Sequence, residues 1–489
     1  MHACWQMIDC HAALFPGGLA GRIRALSAQV IIGCAAWATS MSRYVAGCGK
    51  ELEMVRRVVV TGMGTVTPHS DQVDQLFAKL CAGESAVRRI SLFDPSSVPC
   101  QIAAEVRYEV GGPDAIGPYD LRPRAMRFAH GAASRALADA GLIAPPVDDF
   151  VARSRRAVQL AVGVGSTAME ALGPITLGSW GLPDSGDARD LPDFRRAASK
   201  AHETTALLDE WFIDQAAPAL GMLFGADTIC TAASACASGS HSILDAAHQI
   251  RLDHSDVVLC GGVCTPITRS MMPGFAMLSA LTSRNDDPAA ASRPFDLDRD
   301  GFIMAEGASM LILEELDHAI ARGAHIYAEV LGVGIATDSY RLTDPEPTGR
   351  GMAAAMSRAL ADARLSTGDV DYINAHGTST KLNDAAETLA VKTAFGDDAK
   401  GLPVSSSKSM FGHLIHAAGV TEAIVCIKTI AEGVVTPTIN QEISDPSCDL
   451  DYVPNVARDH KVKVALNNSF GFGGQNVSVV LGEMNGGRA

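Results

Sequence analysis

TAASACASGSHSILDAAHQI, residues 231 to 250, sets a single cysteine in a small-residue turn directly before an amphipathic helix. Ala and Ser on both sides of Cys236 leave room for another molecule to approach the sulfur. Ser238 and Gly239 can cap and open a helix whose apolar face carries Ile243, Leu244, Ala247 and Ile250. A thiol at a helix start meets free amide donors and the positive end of the helix dipole, so a thiolate is expected to be favoured there. Taken alone, a lone cysteine is more often a buried, inert one.

Outward from this stretch the pattern is α/β. VVVTGMG, residues 58 to 64, reads as a buried strand ending in glycines, and residues 158–164 and 257–263 read as two more. Residues 72–81 and 124–140 carry helical periodicity. The Gly62 to Gly64 turn lacks the third glycine and the later acid of a dinucleotide-binding fingerprint, so it is read as packing. HIYAEVLGVG, residues 325 to 334, repeats the run ending in Gly-x-Gly and hints at two halves of similar build. Helices are expected over 351–363 and 414–430, and a strand over 370–374 that delivers NAHGTST at its C-terminal end, the edge where open α/β sheets bind ligands.

The 489 residues are 47% hydrophobic and 19% charged, an ordinary globular composition with material for two domain-sized cores. A net charge of −15 argues against nucleic-acid binding, and an acidic partner would need a local basic patch. The 12 cysteines are scattered singly or lie in the first fifty residues, the usage of a reduced, cytoplasmic protein. No apolar run is long enough to span a bilayer. Residues 1–53 lack periodicity and are read as an appended extension. Within them Arg22 to Ala38 imitates a signal peptide but begins too far from Met1. Residues 169–201, rich in Gly, Pro and Asp, are read as a surface loop.

Three further motifs follow in the second half: NAHGTST (374–380), SKSMFGH (407–413) and NSFGFGG (468–474). His376 stands at a strand end, His413 is expected at the start of the helix over 414–430, and Lys408 lies between serines. Each has a plain structural reading, and Phe470 and Phe472 are most simply core side chains. PFDLDRDGFIMAE, residues 294 to 306, resembles a calcium loop through Asp296, Asp298, Asp300 and Gly301, but Glu306 comes one residue early. A turn in which Asp and Arg side chains lock one another is expected instead. His413 and His416 form an HxxH that a metal hydrolase could use, without the glutamate and spacing of HExxH.

Together the four motifs resemble the β-ketoacyl-acyl-carrier-protein synthases, elongating condensing enzymes of the thiolase superfamily, over about residues 56 to 485. The resemblance implies a five-layered αβαβα fold of two pseudo-symmetric halves, with bounds expected at 54–315 and 316–489, and a homodimer with the site between the halves. It implies Cys236 as acyl-accepting nucleophile, His376 and His413 as the pair serving malonyl decarboxylation, and Lys408 beside them. Glu387 would belong to the same network, with Asp384 and Phe470 in support, and Phe472 would gate entry and share an oxyanion hole with Cys236. The implied reaction is condensation of an acyl thioester with malonyl-carrier in fatty-acid synthesis, without metal or cofactor. A ketosynthase of a polyketide or specialised-lipid pathway stays open, as does a chain-length-factor-like subunit, though the latter tends to lack the nucleophile. The implied partner is an acidic acyl carrier protein. LRPRAMR, residues 121 to 127, with Arg122, Arg124 and Arg127, is the candidate docking patch, and a solvated face paired with acids such as Asp120 is the alternative.

Overall fold

The computed structural model describes residues 56–163 and 215–484. Contacts divide the chain into Met1–Val55 and Arg56–Ala489, and the first unit lies outside the described residues, as does the expected loop over 169–201. Ten strands form the main sheet: β1 (Val58–Val66), β2 (Arg156–Ala161), β3 (Thr228–Ala232), β4 (Val257–Cys264), β5 (Gly307–Glu315), β6 (Ala328–Thr337), β7 (Tyr372–Asn374), β8 (Val404–Ser405), β9 (Val464–Gly471) and β10 (Gln475–Gly482). Five helices matter for the site: α1 (Arg124–Asp139), α2 (Ser238–Arg251), α3 (Arg350–Ala363), α4 (Lys381–Phe395) and α5 (Ala418–Glu432).

The strand order is β8-β7-β9-β10-β6-β1-β5-β4-β2-β3. Counted outward from the centre, β1-β5-β4-β2-β3 and β6-β10-β9-β7-β8 follow the same course: two antiparallel pairings, then two parallel ones. β1 and β6 join the two series through Val59 to Glu329 and Val60 to Ala328. α2 and α5 lie between the halves, since Ile243, Ala247, Ile424 and Ile427 share one buried cluster with Val58 and Leu311 of one half and Val477 and Val479 of the other. α1 packs on the outer face of the first half through Phe128, Ala132 and Ala136 against Leu160 and Ile312. α3 and α4 do the same for the second through Met356 and Ala390 against Ile373 and Leu466. This is the thiolase-like five-layer arrangement.

The repeated Gly-x-Gly has a packing cause. A Cβ on Gly62 or Gly64 would strike the backbone of α1 at Ala136 and Ala132, and one on Gly332 or Gly334 would strike α3 at Ala359 and Ala355. Both strands also shift register at the first glycine of the pair, between Val60 and Gly62 and between Val330 and Gly332. A bulge twists the strand and lets the helix approach its backbone closely.

No helix among the described residues is long and apolar enough to cross a membrane. The calcium-loop lookalike is a locked turn. Asp296 accepts from the backbone of Asp298, Glu442 and Ile443, Arg299 holds Asp445 at 2.6 Å, and Glu306 faces Arg124. One helix boundary differs from expectation. The helix expected over 414–430 begins at Ala418, because a 3-10 turn at Ile415–Ala417 precedes it and Ile415 takes a φ of 47° that an α-helix does not allow.

Candidate active site

Cys236 sits in a 3-10 turn, Ala235–Ala237, between β3 and α2. The turn is pinned by the Ser238 hydroxyl, which accepts from the Ser234 amide at 2.8 Å and donates to the Ala235 carbonyl at 2.7 Å. Ser238 therefore braces the turn rather than capping the first helical amides. Gly471 comes so close that an added Cβ would lie 3.0 Å from the Cys236 nitrogen. The backbone amides of Phe472 and of Cys236 itself are both directed at the sulfur. Burial nevertheless pushes the thiol up to about 11, against the opposing pull of Lys408 and the two amides. The helix start thus does not produce a resting thiolate, contrary to the sequence expectation, because desolvation outweighs the dipole and donors in an enclosed site.

The second half supplies the other groups. His376 follows β7, and its backbone amide and that of Gly377 each donate to Glu387 at 2.8 Å, so the α4 carboxylate fixes the turn carrying the imidazole. His413 is held in extended backbone against the other half: its amide donates to the Ile303 carbonyl at 2.7 Å, and its carbonyl accepts from Ala305 at 3.0 Å. The Ile415 amide donates to His413 Nδ1 at 3.3 Å, which places the imidazole proton on Nε2. That Nε2 and His376 Nδ1 are both buried without a partner. The two rings stand 5.4 Å apart, nearly perpendicular. Burial first, then the charge of Lys408, depresses both imidazoles well below the ordinary histidine range, so both are neutral.

Ligating atoms of Cys236, His376 and His413 lie within 4.8 Å of one another, all three residues buried. The HxxH reading does not survive this geometry, because His413 faces Cys236 while His416 Nδ1 lies 3.3 Å from Cys264 Sγ. Lys408, 1% exposed, forms an ion pair with Glu422 of α5. Burial raises Glu422 and Glu387 to about 7 each, opposed by Lys408 in the first case and by the Gly377 and His376 amides in the second. Asp384 accepts from the Phe295 amide at 2.8 Å and lies 3.7 Å from Arg299, so it braces the start of α4. Phe470 packs edge-on against His376 at 5.9 Å. Phe472 lines, together with Cys236, His376 and His413, a cavity of about 320 Å³.

Glu422 was not singled out from the sequence. Its signal was present: an acid inside the apolar helix run AGVTEAIVCIKTI must find a cation or a proton. The arginine patch is largely committed. Arg124 clasps buried Glu306 and donates to the Val106 carbonyl at 2.7 Å, Arg122 pairs with Asp120 at 2.7 Å, and Arg127 with exposed Asp114 at 3.1 Å. Arg124 is thus an internal tie between α1 and the Pro294 to Glu306 segment rather than a free surface cation.

Comparison with known proteins covers both halves. The beta-ketoacyl synthase N-terminal domain matches residues 55–319 and its C-terminal domain residues 327–442. The chain is 40% identical to the 3-oxoacyl-[acyl-carrier-protein] synthase 2 of Synechocystis sp. over 432 residues, 87% of this chain and 98% of that protein. It is 39% identical to the actinorhodin polyketide putative beta-ketoacyl synthase 1 of Streptomyces coelicolor, over 87% of this chain and 88% of that one. Among solved structures, a type II polyketide ketosynthase in complex with its acyl-carrier protein superposes with a TM-score of 0.76 at 32% identity, over 88% of this chain and all of that one. With the fold, both domain matches and relatives of this identity in agreement, the chain belongs to the β-ketoacyl synthase family of acyltransferases.

Proposed function

We propose that the chain condenses an acyl thioester with malonyl-acyl-carrier-protein in fatty-acid biosynthesis, carrying the acyl group on Cys236. The observation that carries this reading is one thiol and two neutral imidazoles converging on one cavity, with two backbone amides aimed at the sulfur. In the first half-reaction Cys236 Sγ bonds to the acyl carbon and the carrier thiol leaves with the proton. The oxyanion is held by the amides of Cys236 and Phe472, and losing one such donor costs about 3 to 4 kcal/mol of barrier. In the second, malonyl-carrier loses carbon dioxide and its electron pair becomes an enolate. His413 Nε2–H and an N–H of His376 then stabilise the thioester oxygen. The enolate carbon attacks the acyl carbonyl, the Cys236 thiolate leaves the β-ketoacyl-carrier product, and the sulfur takes up a proton from solvent. Burial, with the charge of Lys408 beside it, keeps both imidazoles neutral, each with one N–H to donate.

A polyketide or specialised-lipid pathway is the second reading, favoured by the likeness to the Streptomyces coelicolor protein. A purely non-catalytic partner role is opposed by the presence of Cys236, His376 and His413 together. A cytoplasmic location, with an acyl carrier protein as partner, belongs to this reading. Carrier docking falls to Arg122 and Arg127, the two arginines whose acids lie near the surface. A homodimer is supported by the edge strand β3, whose Thr228, Ile229, Cys230 and Thr231 are exposed. The test is mass spectrometry of the carrier-bound product formed from purified enzyme, malonyl-carrier and a ladder of acyl donors. A product longer than the donor by two carbons and bearing a 3-oxo group supports the reading, and unextended donor with every acyl length overturns it.

A further inference from the structure

His416 and Cys264 are buried or partly buried polar groups that the chemistry above does not use. They stand at the ligand edge of the first half. β3, β2 and β4 are parallel neighbours whose ends lie side by side, with Ala161 paired to Ala232 and to Gly262. At or just beyond those ends stand Cys236, Gly163 and Cys264, and this is the edge where open α/β sheets bind ligands. His416 reaches into it from the turn before α5. Its Nδ1 is 3.3 Å from Cys264 Sγ. Its ring covers Gly163 so closely that a Cβ there would collide with the imidazole, and its carbonyl is wedged against Gly262 and Gly239. Ala235 and Ile415 open the two matching turns with φ of 49° and 47°, so His416 occupies in its half the place that Cys236 occupies in the other.

Neither His416 nor Cys264 lines the cavity that reaches Cys236 past His376, His413 and Phe472. They adjoin the nucleophile without lining that cavity: Cys236, Cys264, Ile415 and Phe275 share one apolar cluster, and Phe275 packs on Phe302 and Phe472 of the cavity wall. With the thioester arm in the cavity, an acyl substituent borne by Cys236 would pack on this cluster. We propose that His416 is a specificity-determining residue that hydrogen-bonds a carbonyl or hydroxyl oxygen on the acyl chain borne by Cys236, so that oxygenated acyl groups are selected over plain alkyl ones. This rests on the reading of Cys236 as the acyl carrier and, of the two pathways proposed above, agrees with the polyketide or specialised-lipid one.

The polarity of the pair suits the role. Burial lowers His416 to about 4 and raises Cys264 to about 12, so both are neutral at working pH. A protonated thiol donating to Nδ1 leaves the proton on Nε2, as an N–H donor. An alkyl chain would strip water from that donor and offer no acceptor, whereas an oxygen restores the hydrogen bond.

The test follows acylation of Cys236 by peptide mass, with N-acetylcysteamine thioesters of equal length that are saturated or carry an oxo or hydroxy group at successive positions. For the wild type, at least one oxygenated donor is expected to acylate about tenfold or more faster than its saturated partner. His416→Leu is expected to bring that ratio within about twofold, and His416→Asn, which keeps a donor, to retain part of it. Should His416→Leu not fold, His416→Gly takes its place. Equal rates for all wild-type donors, or an unchanged ratio in His416→Leu, would overturn the proposal while leaving Cys236 as nucleophile. Failure of every donor to acylate Cys236 would overturn the nucleophile reading and this inference with it.

Discussion

β3 and β8 hold matching places at the two ends of the sheet, yet the chains that leave them carry different chemistry. From β3 the chain runs four residues to Cys236 and enters α2 at once. From β8 it first makes the short helix Lys408–Phe411 and the His413 segment, and only then the matching turn, where His416 stands. The extra segment gives the second half a buried cation and an imidazole that the connection from β3 to α2 lacks. One topology used twice therefore yields a site in which the first half offers the thiol and an apolar wall, and the second offers donors and charge. The two halves need each other because His413 is held through backbone bonds to Ile303 and Ala305, just before β5 of the first half.

The sharpest break in this comparison is the Lys408–Glu422 pair, which has no counterpart between β3 and α2. Lys408→Met or Glu422→Gln strands a buried partner and is expected to cost about 3 to 5 kcal/mol of stability, read by denaturant unfolding. The double variant Lys408→Met/Glu422→Leu is expected to lose less than either single one, and additive losses would show that the two do not act as a pair.

The halves should instead respond alike where they are built alike. Gly62→Ala and Gly332→Ala each push a methyl into a helix backbone, and each is expected to cost about 1 to 3 kcal/mol. A loss in only one of them would mean that the bulges are not equivalent packing devices. The arginines on the first half form a graded series. Arg124→Ala is expected to lower Tm because Glu306 loses its cation, whereas Arg122→Ala and Arg127→Ala leave Tm unchanged and raise KM for the carrier more strongly at low salt than at high. A KM independent of both would move docking elsewhere. The smallest effect is on reactivity: iodoacetamide labelling of Cys236 is expected to keep rising above pH 9, toward the thiol's value of about 11. A plateau below pH 7 would restore the thiolate expected from the helix start.

That last contrast shows where the sequence stopped informing. The strand-glycine repeat, the helix after Cys236 and the order of the motifs were legible, since periodicity and small residues report local backbone needs. So were Cys236, His376 and His413 as candidates. Which effect governs the sulfur was not, because desolvation depends on everything packed around it and the helix dipole only on its own segment. Arg124 misled for the same reason: its partner Glu306 lies 182 residues away. Glu422 carried a local signal, since an acid in an apolar helix needs a partner, but the segment does not say that the partner is Lys408; His416 in its turn becomes informative only beside Cys264.

On this mechanism the two halves perform separable steps, covalent capture at Cys236 and decarboxylation at the histidines. Cys236→Gln with labelled malonyl-carrier tests it most directly, by measuring carbon dioxide release and condensation product in one reaction. Continued or increased release of carbon dioxide with no condensation product is expected. Condensation surviving in Cys236→Gln, or loss of decarboxylation together with condensation in a folded variant, would contradict it.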